Sequence, residues 1–366
     1  MKEFNHWKDI HNSGNIIALS SNRQGLLWLK VKSIIRKEIL ADFLLYAGFK
    51  LHSSTLQLQF VELYQTLSEN IEEAHLVINE FIAQENKKIL SALNTEKLIS
   101  ELYKLKSFDW GGDYNNSLDK YLVSHYVKAI NSYDELLTKF DTEINRAVRG
   151  YVLNSWYNHW SSILIEYIFK SHPNVLPTVG QIKNVDFFIK DIPFDLKVTY
   201  FPNEFLKQKR KEKGLPVEVT YLKQKAKEAK ISYDKQGKES DIYYEITEKL
   251  RDKDNAFCNN VLHEIQKQRM DILSDCLHNP SELIKWLYEN QGEMRFGSEN
   301  RLFLVLVDRA DFNNSWRLKR NFELLKPSIK DYLDNFETKN TEKLKVDFLY
   351  KEKEYQSLAD IIFILK

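Results

Sequence analysis

The stretch that most restricts how this chain can fold is residues 185–199, VDFFIKDIPFDLKVT. Its apolar spacing fits two short strands joined by a tight turn at Lys190 and Asp191. Ile189 is then expected to face Ile192, and one pair further back from Phe187 and Phe194, Asp186 is expected opposite Asp195. On the second strand, alternation sends Phe194, Leu196 and Val198 to one face and Asp195, Lys197 and Thr199 to the other. Directly opposed residues have Cβ atoms roughly 4.5–5.5 Å apart, and like charges placed there destabilise a sheet. A divalent cation between the two carboxylates offsets that repulsion. Mg²⁺ is bound by one or two carboxylates, with waters and substrate phosphate completing its shell. Lys197, about 6–7 Å along the strand from Asp195, can orient a metal-bound water or stabilise charge growing on a phosphate. The plain alternative is a pair of strand acids and a lysine on a solvated face.

An acid followed by acid-x-lysine on the next strand resembles the PD-(D/E)xK nucleases, the restriction-endonuclease-like superfamily. Asp186 matches the first acid, and Asp195-Leu196-Lys197 match the second acid, spacer and lysine. Val185 stands where the pattern has proline. The resemblance implies that Asp186, Asp195 and the Leu196 carbonyl hold Mg²⁺, with Mn²⁺ as a substitute, and that Lys197 serves the attacking water. Many members add a glutamate from the preceding helix, and Glu166, within the apolar run 161–169, stands at that place. The resemblance further implies Mg²⁺-dependent cleavage of DNA, a role in restriction or phage defence, a homodimer, and a partner subunit of a defence system. The competing expectations are a catalytically silent module that binds DNA or a partner, and a helical interaction protein.

At 366 residues the chain is long enough for two domains, or for one core with a large elaboration. Its net charge of +1 excludes a globally basic nucleic-acid binder, so any basic surface is local. Two cysteines, Cys258 and Cys276, are too few for a disulfide framework and point to a reducing cytoplasm. No run approaches the roughly 18 apolar residues of a membrane span, and residues 1–8 lack the apolar core of a signal peptide.

Apolar residues recur at three- and four-residue steps from about residue 25 to 144, which predicts an all-α N-terminal domain over 1–145. Glycine, Asp and Asn predict a loop at 107–117 that, like the helices, is a candidate recognition element. A long helix is expected over 142–169, with Trp156, Trp160, Ile163 and Tyr167 as its core stripe. After the hairpin comes a basic stretch, about 200–254. Between Lys207 and Lys238 it holds eleven basic residues against four acids. Lys207, Lys209, Arg210 and Lys211 are its densest group and the candidate contacts to a DNA backbone. Helices are expected over 255–276, where His263, Gln266 and Arg269 could form a lid, and over 280–290. The apolar runs 301–308 and 359–365 read as strands covered on both faces, with an edge strand at 344–350 and a helix near 317–336. Residues 146–366 are thus expected to form an α/β (α+β) domain: a restriction-endonuclease-like mixed sheet flanked by helices.

Overall fold

The hairpin turn adopts a backbone that few side chains favour: Lys190 and Asp191 take φ of 48° and 69°. Two such residues in succession give the turn whose twist matches that of the strands it joins. This is a computed structural model of the chain, and it describes residues 1–108, 117–182, 184–291, 297–336, 341–350 and 352–366. The turn fixes the pairing of Ile189 with Ile192, Phe188 with Pro193, and Phe187 with Phe194. Pairs in a hairpin alternate in their hydrogen bonding, so the nitrogen of residue 193 points away from the partner strand. Proline therefore removes no bond from this ladder. The Pro193 carbonyl accepts the Asn300 side-chain amide at 3.0 Å.

The N-terminal residues are helical, and two helices matter here: Arg23–Ile34 (α1) and Ile71–Ala92 (α2). They share one apolar cluster with Ile182, Val185 and Phe188 of the sheet, so they cover its hairpin end. Lys30 of α1 is fully buried, and its Nζ lies 2.6 Å from Oδ1 of Asp191 at the hairpin tip. Arg23 reaches the same carboxylate at 3.4 Å. With the ammonium buried and the carboxylate 46% exposed, such a pair adds little net stability but selects one arrangement over others. Here it fastens the turn to α1.

Helix Asn145–Lys170 (α3) leads into the sheet. The strands are Val175–Ile182 (β1), Val185–Ile189 (β2), Ile192–Tyr200 (β3), Arg301–Val307 (β4), Lys345–Tyr350 (β5) and Lys353–Leu365 (β6). They form a six-stranded mixed sheet in the order β1-β2-β3-β4-β6-β5. The hairpins β1-β2-β3 and β5-β6 are antiparallel, whereas β3, β4 and β6 run parallel. Sequence reasoning missed β1. It contains Pro177, but it is an edge strand, where a missing N–H breaks no central ladder. At Gly180 an added Cβ would lie 2.1 Å from the Ser33 carbonyl oxygen, so glycine lets α1 cross the strand closely.

Every residue of β4 is buried, as its unbroken apolar run predicts. Between β3 and the first residues of β4 lie helices Asn203–Glu212 (α4), Glu218–Glu228 (α5), Glu239–Lys253 (α6), Ala256–His278 (α7) and Ser281–Asn290 (α8). Helix Phe322–Asp334 (α9) follows a 3-10 segment, Phe312–Arg320. Leu302, Leu304 and Leu306 of β4 pack with α3 and α9; Phe303, Val305 and Val307 pack with α7 and α8. Each such side chain contributes about 1.5–3 kcal/mol by leaving water. The result is a mixed α/β fold with helices on both faces of the sheet.

The basic stretch is folded into this scheme as helices. Leu222 and Ala226 of α5, Ile246 and Leu250 of α6, and Val261 and Ile265 of α7 close a small core of their own. Among the described residues no helix is long and apolar enough to cross a membrane.

Candidate active site

The acids of the hairpin meet where β2 leaves β3. The paired ladder stops at Phe187 and Phe194. One step on, the Leu196 N–H donates to Oδ2 of Asp186 at 2.8 Å instead of to a backbone carbonyl. The carbonyls of Val185 and Asp186 are taken by the Thr178 hydroxyl, at 3.4 and 3.1 Å. Asp186 therefore lies against the backbone between Asp195 and Lys197. A strand residue's N–H and C=O leave on the same edge, so the Leu196 carbonyl faces the edge where Asp186 sits.

Asp195 is 7% exposed. Its N–H donates to the Asn300 carbonyl at 2.8 Å. The Asn300 side-chain oxygen accepts the Leu358 N–H at 3.1 Å, so one asparagine ties β3 to β6 beneath the acids. Lys197 places Nζ 2.6 Å from Oδ2 of Asp195 and keeps 35% of its side chain exposed. That oxygen is buried and receives no well-aligned hydrogen bond, so the contact is an ion pair.

Burial pushes the Asp186 carboxyl up to about 6; the charges of Asp195 and Glu166 push the same way, while the Leu196 N–H and Lys197 oppose them. Two expected neighbours, Asp195 and Glu166, are thus near enough for their charges to resist ionisation of Asp186. Glu166 itself is half-buried on α3 and pairs with Lys170 at 2.7 Å.

Sequence reasoning missed Glu299 and Arg301. Arg301 lies opposite Asp195 in the β3-β4 register. Its Nε donates to Glu299 at 2.5 Å, and its Nη1 donates to the carbonyls of Tyr288 and Gln291 at 3.0 Å each. Glu299 is fully buried; burial raises its pKa, Arg301 opposes this, and the Asp195 charge adds to it. Two charged residues at i and i+2 before an apolar strand are the available signal, because that spacing places both on one face.

The basic group on α4 is placed differently from expectation. Lys207 pairs with Glu204 at 3.0 Å and Glu239 at 3.2 Å. Lys209 pairs with Glu212 at 2.7 Å and also with Glu282. Arg210 is 1% exposed, and its guanidinium donates to the Pro216 carbonyl at 2.9 Å and to Gln268 at 2.6 Å. It is not an accessible phosphate contact: its side chain lies inside the helical cluster. Lys211 is exposed. Of the expected lid, Arg269 pairs with Glu218 in that same cluster. The expected recognition loop falls largely on residues 109–116, outside the described residues.

Comparison with protein-family models, with curated proteins and with solved structures gave no match. The case for a metal therefore rests on donor chemistry. Among the described residues no three His, Cys, Asp or Glu side chains are grouped closely enough to enclose an ion unaided. Two carboxylates completed by a carbonyl and waters is, however, a shell that Mg²⁺ accepts. A buried carboxyl lifted by neighbouring negative charge is also the kind of donor a cation relieves. Asp186, Asp195 and the Leu196 carbonyl fit the group.

Proposed function

We propose that this chain is a Mg²⁺-dependent phosphodiesterase acting on DNA, built on a restriction-endonuclease-like core. One observation carries the reading: Asp186 is held by the Leu196 N–H beside the Asp195–Lys197 ion pair, at the end of a hairpin beside a parallel sheet. The order helix, acid hairpin, helices and buried strand supports the same reading of the fold. Asp186 and Asp195 would hold the ion with the Leu196 carbonyl, and Glu166 would join through water. When bound, the ion lowers the pKa of its water and neutralises charge on the scissile phosphate. Lys197, about a third exposed, would orient the attacking water and stabilise the charge that grows on the phosphate oxygens. Asp186 must be ionised to serve, so cation binding weakens as pH falls through about 6. Restriction or phage defence, assembly as a homodimer and dependence on a partner subunit extend the same reading.

Titrating Mg²⁺ into the full chain by calorimetry, then assaying supercoiled plasmid and single-stranded DNA, tests it. Saturable binding and Mg²⁺-dependent cleavage are expected in the wild type, with both lost in Asp195→Ala. Binding without cleavage would mark a silent module; full cleavage by Asp195→Ala would remove these residues from the chemistry.

A further inference from the structure

Eight of the twenty large apolar side chains exposed on the described residues lie in one short region, from Val123 to Trp156. This region is a helical arm. Helix Tyr133–Lys139 passes through a π-helical turn, Phe140–Ile144, straight into α3, with right-handed helical backbone at both joins. The first of these segments has no buried residue of its own. Helix Leu118–Leu122 and the turn after it pack on one side of the arm, where Tyr121 and Tyr126 meet Ile144 and Ala147.

The exposed side chains follow a single stripe. Tyr133, Leu137 and Phe140 recur at steps of four and three, the spacing of one helix face. In an unbroken α-helix Val152 and Trp156 would sit about 100°, one residue's rotation, away from that face. The π-helical turn removes the offset. Its Asn145 N–H donates to the Phe140 carbonyl, five residues back, and so takes in one residue more than an α turn. Both halves of the stripe then share a face. An amphipathic helix turns such a stripe towards a core; this one faces water.

We propose that this face binds the same face of a second copy of the chain, with the two helices antiparallel. The stripe is self-complementary. Tyr133 with Trp156, Leu137 with Val152, and Phe140 with Arg149 are each symmetric about one midpoint, between Ile144 and Asn145. A two-fold axis there brings every such pair together twice. Charge agrees with this register. Asp141 and Arg149 are both exposed, neither has an ion pair among the described residues, and they flank the stripe on the same side. Antiparallel packing sets Asp141 of one copy beside Arg149 of the other. Specific interfaces take roughly 600–1,000 Å² from each partner. Eight large side chains between 36 and 73% exposed offer an area of that order. The proposal gives the homodimer of the nuclease reading a definite surface, yet it rests on the arm alone, so its failure would leave the hairpin acids untouched.

Sedimentation equilibrium of the full chain at micromolar concentrations, which reads mass and not cleavage, tests it. A dimer is expected, weakened about a hundredfold in Leu137→Glu, because one substitution falls on both sides of a two-fold interface. Asp141→Arg should weaken it less, and Asp141→Arg with Arg149→Asp should restore it, a rescue that misfolding does not give. Asn145→Cys, at the axis, should join two copies through a short bis-maleimide; Thr138→Cys, behind the same helix, should not. A monomeric wild type, a dimer unmoved by Leu137→Glu, or equal cross-linking through Thr138→Cys would overturn the assignment.

Discussion

At the hairpin, Asp195 pairs with the Lys197 ammonium while Asp186, held by the Leu196 N–H, feels the charges of both; in the helical cluster, Arg210 and Arg269 share the carboxylate of Glu218. The two centres are short of opposite charges, and they are built differently. Aspartate is short, so the hairpin register decides how far apart its two acids can be. Their repulsion is relieved by an ion or by protonating Asp186. Arginine is long and planar, and its five donors can be distributed over several acceptors. The arginines accordingly spread their bonds over Glu218, Gln268, Tyr243 and a carbonyl, leaving Nη2 of Arg210 over. A strand-borne cluster takes its spacing from the sheet register, whereas a helix-borne one is set by how its long side chains distribute their bonds.

The sharpest way to break the comparison is Lys197→Ala. If the hairpin acids work on phosphate, Mg²⁺-dependent cleavage should fall by about 10²–10³-fold, the usual loss for one electrostatic donor. DNA binding, measured by anisotropy, should change little. An unchanged rate would make Lys197 no more than a partner for Asp195.

Glu218→Ala comes next and acts on stability. It leaves two buried guanidiniums without their shared carboxylate, and loss of about 3 kcal/mol is expected in urea unfolding. A loss below about 1 kcal/mol would mean that water already serves both arginines.

The smallest effect sharpens the acid side. The folded Asp186 carboxyl titrates at about 6, against an ordinary 3.8. Stability from its neutral form is complete below the lower value and is lost as pH rises through the upper one. Asp186→Asn stays neutral throughout. Without metal it should match the wild type near pH 4 and exceed it by roughly 1–3 kcal/mol at pH 8. Denaturant midpoints across that range check this, and added Mg²⁺ should narrow the gap. Equal pH profiles would show that the carboxylate is not desolvated.

The hairpin was legible because everything that sets it is local. Apolar alternation gave the turn at Lys190 and Asp191 and the pairing of Ile189 with Ile192. The parallel strand 301–307 announced itself as an apolar run with no polar face. Errors came where tertiary context overrode local signals. The buried stripe of α3 runs through Tyr157, Ser161, Leu164 and Ile168, one residue off the expected Trp156 and Trp160; Trp156 is 36% exposed. Tyr157 prevails because its hydroxyl finds the Trp316 carbonyl at 2.8 Å, a partner remote in sequence. The charge run at 207–238 likewise concealed a folded cluster. Leu222 and Ala226 sit four apart beneath its lysines, and the acids that pair with Lys207 and Lys209 include Glu239 and Glu282 from later helices.

The tie between Lys30 and Asp191 has a mechanical consequence. Asn300 holds Pro193 and Asp195 at the start of β3, and α1 holds the bend just before it. The acid-bearing ribbon is thus bolted at its turn from two sides, by the sheet and by the amino-terminal helices. Separating those helices from the sheet would leave the turn held by the sheet alone.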